Sequence, residues 1–457
     1  MESSRLSRFA SGLFLRWLPM FAFFAVIVHF FWFVNSHAIN VPYQDGVYDL
    51  LNFVVLVEKA DTFWGALEQV FGWHADHRTS ATRILVYGAY LIEGEMNFHT
   101  LALLANLALP LILLLFYLHV RDEEYRWVFL LVSALLLLHI RFFMIVLWSQ
   151  AAFAYFYVFL YAFACLFVLH KVTPLKLALA AVFCVLSTLT FAAGQIVWLM
   201  GLASLLHQSV VIRNRPMVYP AVWFLLAIVT LLLWRIGAPQ ISAYYSDLKS
   251  AEVVLFFPDV LFDMSPGVVL ERYGSWFLVI LGSAIVDSST PAAATFGLCM
   301  LAVLLYVTIR FFKHEDIRLV LCCWFIVATA AAVTLGRART LVPDYILDSR
   351  YTFLSVMLLC TLTLLLQLRV KVFRSYALPV IVLLACLNWA WTFYHFVAPL
   401  EHDLKVRYNQ FNANIFLVFA RPVEESNAIV QEAIAMGIYI PPCKPLPHCE
   451  NPTPVAE

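Results

Sequence analysis

Long, nearly uncharged apolar blocks recur along the chain, and they constrain its fold more than any other feature. Each block has about 17 to 23 residues, enough for an α-helix to cross roughly 30 Å of hydrocarbon. The 457 residues are 63% hydrophobic and 13% charged, whereas soluble domains carry about a quarter of their residues as charges. A membrane β-barrel would show alternating apolar residues instead. The sequence therefore predicts an all-α fold, a polytopic transmembrane helical bundle.

The charges between the blocks predict the topology. We count about eleven spans, near residues 17–35, 98–120, 127–147, 150–170, 176–193, 195–211, 217–236, 292–311, 319–336, 350–368 and 376–396. Every second connection carries Lys or Arg, as cytoplasmic loops do; these residues are Arg121, Arg126, Lys171, Lys176, Arg213, Arg215, Arg310, Lys313, Arg318, Arg369, Lys371 and Arg374. The chain is predicted to be a multi-pass bacterial inner-membrane protein with a cytoplasmic N-terminus and an external C-terminus.

The predicted outer face consists of long loops and the C-terminal tail. Residues 1–399 form one transmembrane domain with outer loops 36–97, 237–291 and 337–349, and residues 400–457 form an outer tail. The amphipathic stretch 48–71 predicts helices that lie on the bilayer surface. The short apolar block 276–286 is predicted to be re-entrant or interfacial. Cys443 and Cys449, in polar sequence, are predicted to form a disulfide in an oxidising compartment.

The densest group of polar residues lies in loop 36–97. A carboxylate fixed just beyond the first span is positioned to take a proton from a hydroxyl, and a nearby arginine binds phosphate through paired donors. We therefore predict Asp45 as a catalytic base and substrate binding by Asp49, Asp76, His77 and Arg78. The alternative is that these are ordinary solvated loop residues. A divalent metal, the one cofactor that the residues suggest, is an alternative use of His74, Asp76 and His77.

A second polar group precedes the span near residues 350–368; its members are Arg337, Arg339, Asp344, Asp348, Arg350 and Tyr351. Arginines on the face that the positive-inside rule disfavours predict a phosphate pocket, in which Arg337, Arg350 and Tyr351 contact the substrate. Pairing of Arg350 with a nearby aspartate is an equal alternative.

Two glutamines, Gln150 and Gln195, lie in apolar sequence. A polar side chain there needs a partner or a cavity. We assign both to substrate binding, with hydrogen bonding between helices as the alternative.

Several function classes find no support in the sequence. No glycine-rich phosphate loop, dinucleotide fingerprint or serine elbow occurs, so an ATP-driven pump is not predicted. With 29 basic and 29 acidic residues, the chain has no overall basic field, and no nucleic acid partner is predicted.

Short stretches of the chain resemble those of bacterial membrane proteins placed near the GT-C superfamily of polytopic glycosyltransferases. They are Asp76-His77-Arg78, Trp148-Ser149-Gln150, Ala193-Gly194, Leu281-Gly282-Ser283 and Ser349-Arg350-Tyr351-Thr352-Phe353. The resemblance implies a GT-C-like fold and a polyprenyl-phosphate-linked sugar as donor. It implies a glycan or lipid acceptor, with Asp45 as the base and Arg78 or Arg350 at the departing phosphate.

Two other functions are compatible with the same residues. An O-antigen-type polymerase or ligase also uses lipid-linked sugars, but it relies on outer-loop Arg and His residues, here Arg337, Arg339, Arg350 and His77. A lipid or solute transporter performs no chemistry and usually shows paired inverted repeats, which this sequence does not display.

Overall fold

The structure, a computed structural model, describes residues 2–74, 77–237, 266–338, 347, 350–413 and 422–442. These residues are mainly helical, and the one sheet among them is a two-stranded hairpin in which Trp73 pairs with Arg78 and His74 with His77. The predicted all-α class is therefore confirmed. Asp76, Arg339, Asp344, Asp348, Cys443 and Cys449 lie outside the described residues, and with them the predicted disulfide.

The elements of the first half surround the loop that follows the first span. They are α1 (Glu2–His37), a π-helix (Gly46–Leu51), α2 (Asn52–Glu58), α3 (Phe63–Phe71), β1 (Trp73–His74), β2 (His77–Arg78), α4 (Ser80–Glu93), α5 (Phe98–Asn106), α6 (Ala108–Val120), α7 (Arg126–Leu137), α8 (Phe143–Val146), α9 (Ser149–Ala152), a π-helix (Phe153–Tyr157) and α10 (Val158–Val168).

The second half continues the bundle and returns to the first loop. Its elements are α11 (Pro174–Thr188), a 3-10 turn (Ala192–Gln195), α12 (Ile196–Leu206), a π-helix (His207–Val211), α13 (Val218–Arg235), α14 (Pro266–Gly282), α15 (Thr290–Phe311), α16 (Arg318–Arg337), α17 (Thr352–Arg369), α18 (Lys371–Ser375), α19 (Leu378–Asn412) and α20 (Val423–Ala435).

Within the described residues, nine helical segments are long and apolar enough to cross a membrane, so the chain is a multi-pass membrane protein. The segments are Trp17–His37, Phe98–Val120, Ser149–Val168, Ala192–Val211, Val218–Arg235, Thr290–Phe311, Arg318–Arg337, Thr352–Arg369 and Leu378–Asn412. Two further predicted spans contain the shorter apolar helices α7 and α11, of 12 and 15 residues. Because roughly 20 residues are needed to cross the hydrocarbon, the count of about eleven stays a prediction.

The connections between spans gather at two ends of the bundle. At one end, Asp316 lies beside His119 and Arg369, and Arg374 pairs with Glu123 at 2.9 Å. We call it the basic end, because it holds the connections that carry Lys and Arg. At the other end, which we call the acidic end, segment 38–97 contacts the start of α9, the residue that follows α11 and the end of α13. The structure thus separates the two sets of connections as the charge pattern predicts.

Large aromatic side chains fill the core below the acidic end. Phe353 lies at 5.2 Å from Phe142, 4.9 Å from Phe156 and 5.5 Å from Phe159, measured between ring centroids. All four are fully buried or nearly so. Edge-to-face and tilted aromatic pairs of this kind add about 0.5–1.5 kcal/mol each beyond their buried area. This packing fixes the start of α17 relative to α10 and the π-helix that precedes it.

Helices α14 and α15 pack with their backbones in close contact. A Cβ at Gly282 would lie 1.8 Å from the Ala293 carbonyl oxygen, and one at Gly297 would lie 2.0 Å from that of Leu278. Only glycine permits this approach, and the pairing shows that the helices run in opposite directions. The predicted apolar block 276–286 begins in the second half of α14, which starts ten residues earlier, at Pro266, and ends at Gly282.

The C-terminal region packs on the loop after the first span. Helix α19 continues through Pro399 to Asn412, so the predicted boundary between 399 and 400 falls inside one helix. Beyond it, the Tyr439 hydroxyl donates to the Asn40 carbonyl at 2.8 Å, and the Met96 amide donates to the Ile438 carbonyl at 2.6 Å. Residues 422–442 therefore lie at the same end as segment 38–97, as the predicted odd number of spans requires.

Candidate functional site

A buried carboxylate, Asp49, organises the acidic end. Its side chain is 0% exposed. Oδ1 accepts hydrogen bonds from the Thr79 hydroxyl at 2.6 Å and from Arg83 Nε at 3.2 Å, and Oδ2 accepts one from the Gln150 amide at 3.3 Å. The His74 ring nitrogen Nδ1 lies 3.8 Å from Oδ1. We call Asp49, His74, Thr79, Arg83 and Gln150 the Asp49 network; it joins the first loop to the start of α9.

The environment of Asp49 keeps its carboxylate charged. Burial alone would raise its pKa, but the charges of His74 and Arg83 and the hydrogen bonds from Thr79 and Gln150 outweigh burial and lower the pKa to about 2. A carboxylate with so low a pKa is a weak base. The predicted substrate-binding residue Asp49 therefore acts in this structure as an anchor for its neighbours.

Asp45, the predicted base, differs from Asp49 in its burial and in its hydrogen bonding. It precedes the π-helix Gly46–Leu51 and is half-buried. Its side chain makes no capping hydrogen bond, and the described part of the chain contains no hydrogen bond or ion pair to its carboxylate. The turn that presents it is tight, because Gly46 N donates to the Tyr43 carbonyl at 2.9 Å and Gln44 has a φ of 44°. Asp45 is thus a fixed but unengaged carboxylate.

Aromatic rings and arginines from distant parts of the chain meet at Tyr43, two residues before Asp45. The Tyr43 ring packs edge-on against Trp148 at 5.4 Å, and the Arg350 guanidinium lies 5.4 Å above the Trp148 ring. Arg407, from the end of α19, lies 3.9 Å from the centre of the Tyr43 ring. We call Tyr43, Trp148, Arg350 and Arg407 the Trp148 group. Since Trp148 and Gln150 are separated only by Ser149, the structure brings Asp49, Gln150, Arg350 and the Asp45 turn to one place.

His77 lies beside His74, the histidine of the Asp49 network. Their ring centroids are 6.0 Å apart, and the His77 ring lies 4.9 Å from that of Phe191. Across the described ranges, no group of three or more His, Cys, Asp or Glu side chains is arranged to hold a metal. The predicted trio of His74, Asp76 and His77 includes a residue outside those ranges and stays a prediction.

Arg78, predicted to bind phosphate, donates to three backbone carbonyls. Its Nε donates to Trp234 at 3.1 Å, and its two terminal nitrogens donate to Phe71 and Ile236. The side chain therefore ties the hairpin β1–β2 to the end of α13. Because its donors are occupied in this way, we leave Arg78 out of the proposed site.

The remaining predicted residues occupy three different environments. Gln195 is half-buried at the end of the 3-10 turn Ala192–Gln195, Arg337 is exposed at the last position of α16, and Tyr351 is buried before α17. The Tyr351 ring lies 5.5 Å from the Arg350 guanidinium. Of these residues, Tyr351 is the one that the described contacts connect to the Trp148 group.

Sequence reasoning missed the residues that hold the site together, namely Thr79, Arg83, Tyr43 and Arg407. Arg83 also donates to the Gln69 and Gly72 carbonyls at 2.7 and 2.9 Å. The sequence hints at this role for Arg83, because Arg83 is a cation in an amphipathic helix and lies in a loop with more acidic than basic residues. Arg407 gives no comparable signal, because its role depends on α19 extending beyond the apolar block.

Comparisons with protein-family models, curated proteins and solved structures return no match to this chain.

Proposed function

We propose that this protein is a membrane glycosyltransferase that moves a sugar from a polyprenyl-phosphate donor to a hydroxyl of a glycan or lipid acceptor. The transfer takes place at the acidic end, at a site formed by Asp45 and the Trp148 group, next to the Asp49 network. The observation that carries the proposal is the contrast between two carboxylates four residues apart. Asp49 is buried and fully engaged, whereas Asp45 is half-buried and has no partner among the described residues.

The chemistry assigns a separate task to each part of the site. Asp45 accepts the proton of the acceptor hydroxyl as its oxygen forms the new bond to the anomeric carbon. The bond between that carbon and the phosphate oxygen breaks, and the phosphate leaves with the electron pair. Arg350 of the Trp148 group stabilises the developing phosphate charge through its guanidinium donors. The Asp49 network keeps the Asp45 turn in place relative to α9.

The proposed location also suits a lipid-linked donor. The nine apolar segments place the chain in a bilayer, and α3 beside the site exposes Phe63 and Trp64 by 72% and 74%. Exposed aromatic residues on a short amphipathic helix are typical of the interface between hydrocarbon and water. A polyprenyl chain can remain in the bilayer while its phosphate-linked sugar reaches Asp45.

A complementation experiment tests the proposal whichever sugar is transferred. Cells that lack the protein are supplied with the wild type, with Asp45→Asn or with Asp61→Asn, and their envelope glycans and lipid-linked precursors are profiled by mass spectrometry. Asp61 is an exposed carboxylate of the same loop and serves as the matched control. Since a general base contributes about 10²–10⁴-fold to rate, Asp45→Asn should abolish the substituent and accumulate the donor, while Asp61→Asn restores the wild-type profile.

Other outcomes would overturn the assignment. Full restoration by Asp45→Asn removes Asp45 as the base, and loss of the product in Arg350→Ala alone then favours the polymerase or ligase reaction. Unchanged glycans in cells without the protein, together with solute uptake by purified protein in liposomes, favour the transporter.

A further inference from the structure

An apolar cavity lies at the basic end of the bundle, opposite the proposed transfer site. Its volume is about 370 Å³, within the range of roughly 300–1,000 Å³ that is typical of small-molecule sites. Three segments enclose it: the end of α12 with the following π-helix, the end of α15, and the start of α16. Its lining residues include Ala203, His207, Val210, Phe311, Val320 and Trp324.

The cavity opens at the surface of the bundle. Among its lining residues, Leu206 is 37% exposed, Val210 is 54% exposed and Phe312 is 50% exposed. A water-filled cavity needs several polar partners for each water molecule, whereas the side chains around this opening are hydrocarbon. At the surface of a membrane-spanning bundle, the matching content is a hydrocarbon chain.

Two exposed arginines stand at the rim of the cavity. Arg213 Nε donates to the carbonyl of Val210 at 3.4 Å, and the Arg310 guanidinium lies 5.8 Å from the centre of the Phe311 ring. Val210 and Phe311 both line the cavity. The backbone of Arg213 has a φ of 58°, a left-handed conformation that costs a non-glycine residue free energy. Two of the three segments that enclose the cavity thus each carry an arginine at its rim.

Among the described residues, no ion pair joins Arg213 or Arg310 to a carboxylate. Asp316, on the connection between α15 and α16, is already engaged by Arg318 at 2.8 Å and lies 3.9 Å from Arg369. Glu315 is exposed on the same connection, which also carries the exposed Lys313. The rim residues Arg213 and Arg310 therefore retain an excess of positive charge beside an apolar cavity.

We propose that this cavity binds an anionic phospholipid, with an acyl chain inside the cavity and the phosphate at Arg213 and Arg310. Guanidinium groups bind phosphate oxygens through paired donors, and basic pockets between membrane helices are typical sites for anionic head groups. The lipid holds the end of α15 against the π-helix His207–Val211. The protein also joins these two segments directly, through a hydrogen bond that His207 Nε2 donates to the Phe312 carbonyl at 2.7 Å. This lipid site does not depend on the proposed transfer reaction.

Native mass spectrometry of the whole chain tests the proposal. The protein is released from vesicles of equal parts phosphatidylglycerol and phosphatidylcholine, and the retained lipids are counted. One variant, Arg213→Gln with Arg310→Gln, removes the rim charges, and another, Ala203→Phe, fills the cavity and leaves the charges in place. The matched control, Arg121→Gln with Lys371→Gln, removes two exposed charges from the same end that the described contacts do not connect to the cavity.

The wild type and the control should retain phosphatidylglycerol in preference to phosphatidylcholine. The rim variant should lose that preference at least tenfold, and Ala203→Phe should lose retention of the lipid itself. Equal retention of both lipids by the wild type, or equal loss in the rim variant and the control, overturns the proposal. If the rim variant does not fold, Arg213→Lys with Arg310→Lys decides, because it keeps the charge and should keep the preference.

Discussion

The two ends of the bundle contain similar charged clusters with different structural roles. Each holds one carboxylate between an arginine and a histidine: Asp49 at the acidic end and Asp316 at the basic end. Asp49 is wholly buried and is held by residues of β1, α4 and α9 and by the residue before α4. The Asp316 side chain is 17% exposed, and its shortest bonds come from Arg318, only two residues away.

This difference separates an anchor whose hydrogen bonds all come from other segments of the chain from one whose shortest bonds come from its own segment. Asp49 joins segments up to about a hundred residues apart, which fixes the first loop on the bundle. Asp316 mainly caps the start of α16, where the Arg318 amide donates to it at 3.1 Å. The acidic end additionally leaves the Asp45 carboxylate without a hydrogen bond or ion pair among the described residues. The basic end instead leaves an apolar cavity with a cationic rim.

The largest expected effect is the loss of the Asp49 anchor. Asp49→Ala leaves Arg83 buried without its carboxylate, and breaking a buried charge pair from one side costs about 3–5 kcal/mol. We expect a corresponding fall in the free energy of unfolding, measured by thermal or denaturant unfolding of the detergent-solubilised protein. Asp45→Ala, four residues away, is the control and should change this free energy by less than about 0.5 kcal/mol. Equal losses in both variants would show that Asp45 also has a structural role.

A smaller effect is expected for Asp316→Ala. Hydrogen bonds to charged groups contribute about 1.5–3 kcal/mol, and the partial exposure of the Asp316 side chain lets water replace part of the interaction. The same unfolding measurement should give a loss in this range, with Glu123→Ala, a half-exposed partner of Arg374 at the same end, below about 1 kcal/mol. A loss as large as that of Asp49→Ala would mean that the two ends are anchored equally.

The overall fold could largely be predicted from the sequence. The length of an apolar block and the charge of a connection each depend on the free energy of transferring side chains from water into the bilayer. The exceptions have local causes. The span predicted at 127–147 breaks after Leu137 into an irregular stretch, in which the Arg141 guanidinium donates to the Leu347 and Val286 carbonyls. The apolar block at 276–286 reveals only the second half of α14, since the first half of this helix carries polar residues such as Glu271 and Arg272.

The site was predictable in part. Asp45, Asp49 and Gln150 stand out in the sequence because carboxylates and amides next to apolar residues need a partner or a function, and the structure brings the turn of Asp45 close to the other two. Their separate roles were not predictable. Arg83 and Thr79 contact Asp49 and not Asp45, and their positions depend on how α4 packs.

Acidification should weaken both anchors. The pKa of Asp49 in the folded protein, about 2, lies below its ordinary value of 3.8; burial opposes the shift at Asp316 too, but the hydrogen bond from Arg318 and the charge of His119 lower that pKa as well. A lowered folded-state pKa stabilises the protein fully above the unfolded value, and this contribution disappears as the pH falls through the folded value. Between about pH 4 and pH 2, wild type should therefore lose up to about 2 kcal/mol more than Asp49→Ala. Parallel pH profiles for the two proteins would contradict this assignment.

The smallest effect tests whether the acidic end has a second charged anchor. Lys59 in the first loop pairs with Glu432 of α20, but the two side chains are 46% and 42% exposed. Exposed ion pairs contribute about 0.2–1 kcal/mol, so Lys59→Ala should lower the free energy of unfolding by no more than that. Lys371→Ala at the basic end is the control, since that exposed side chain has no ion pair among the described residues. A loss above about 2 kcal/mol for Lys59→Ala would show that the C-terminal region depends on charge to stay docked, and that Asp49 shares its anchoring role with a surface pair.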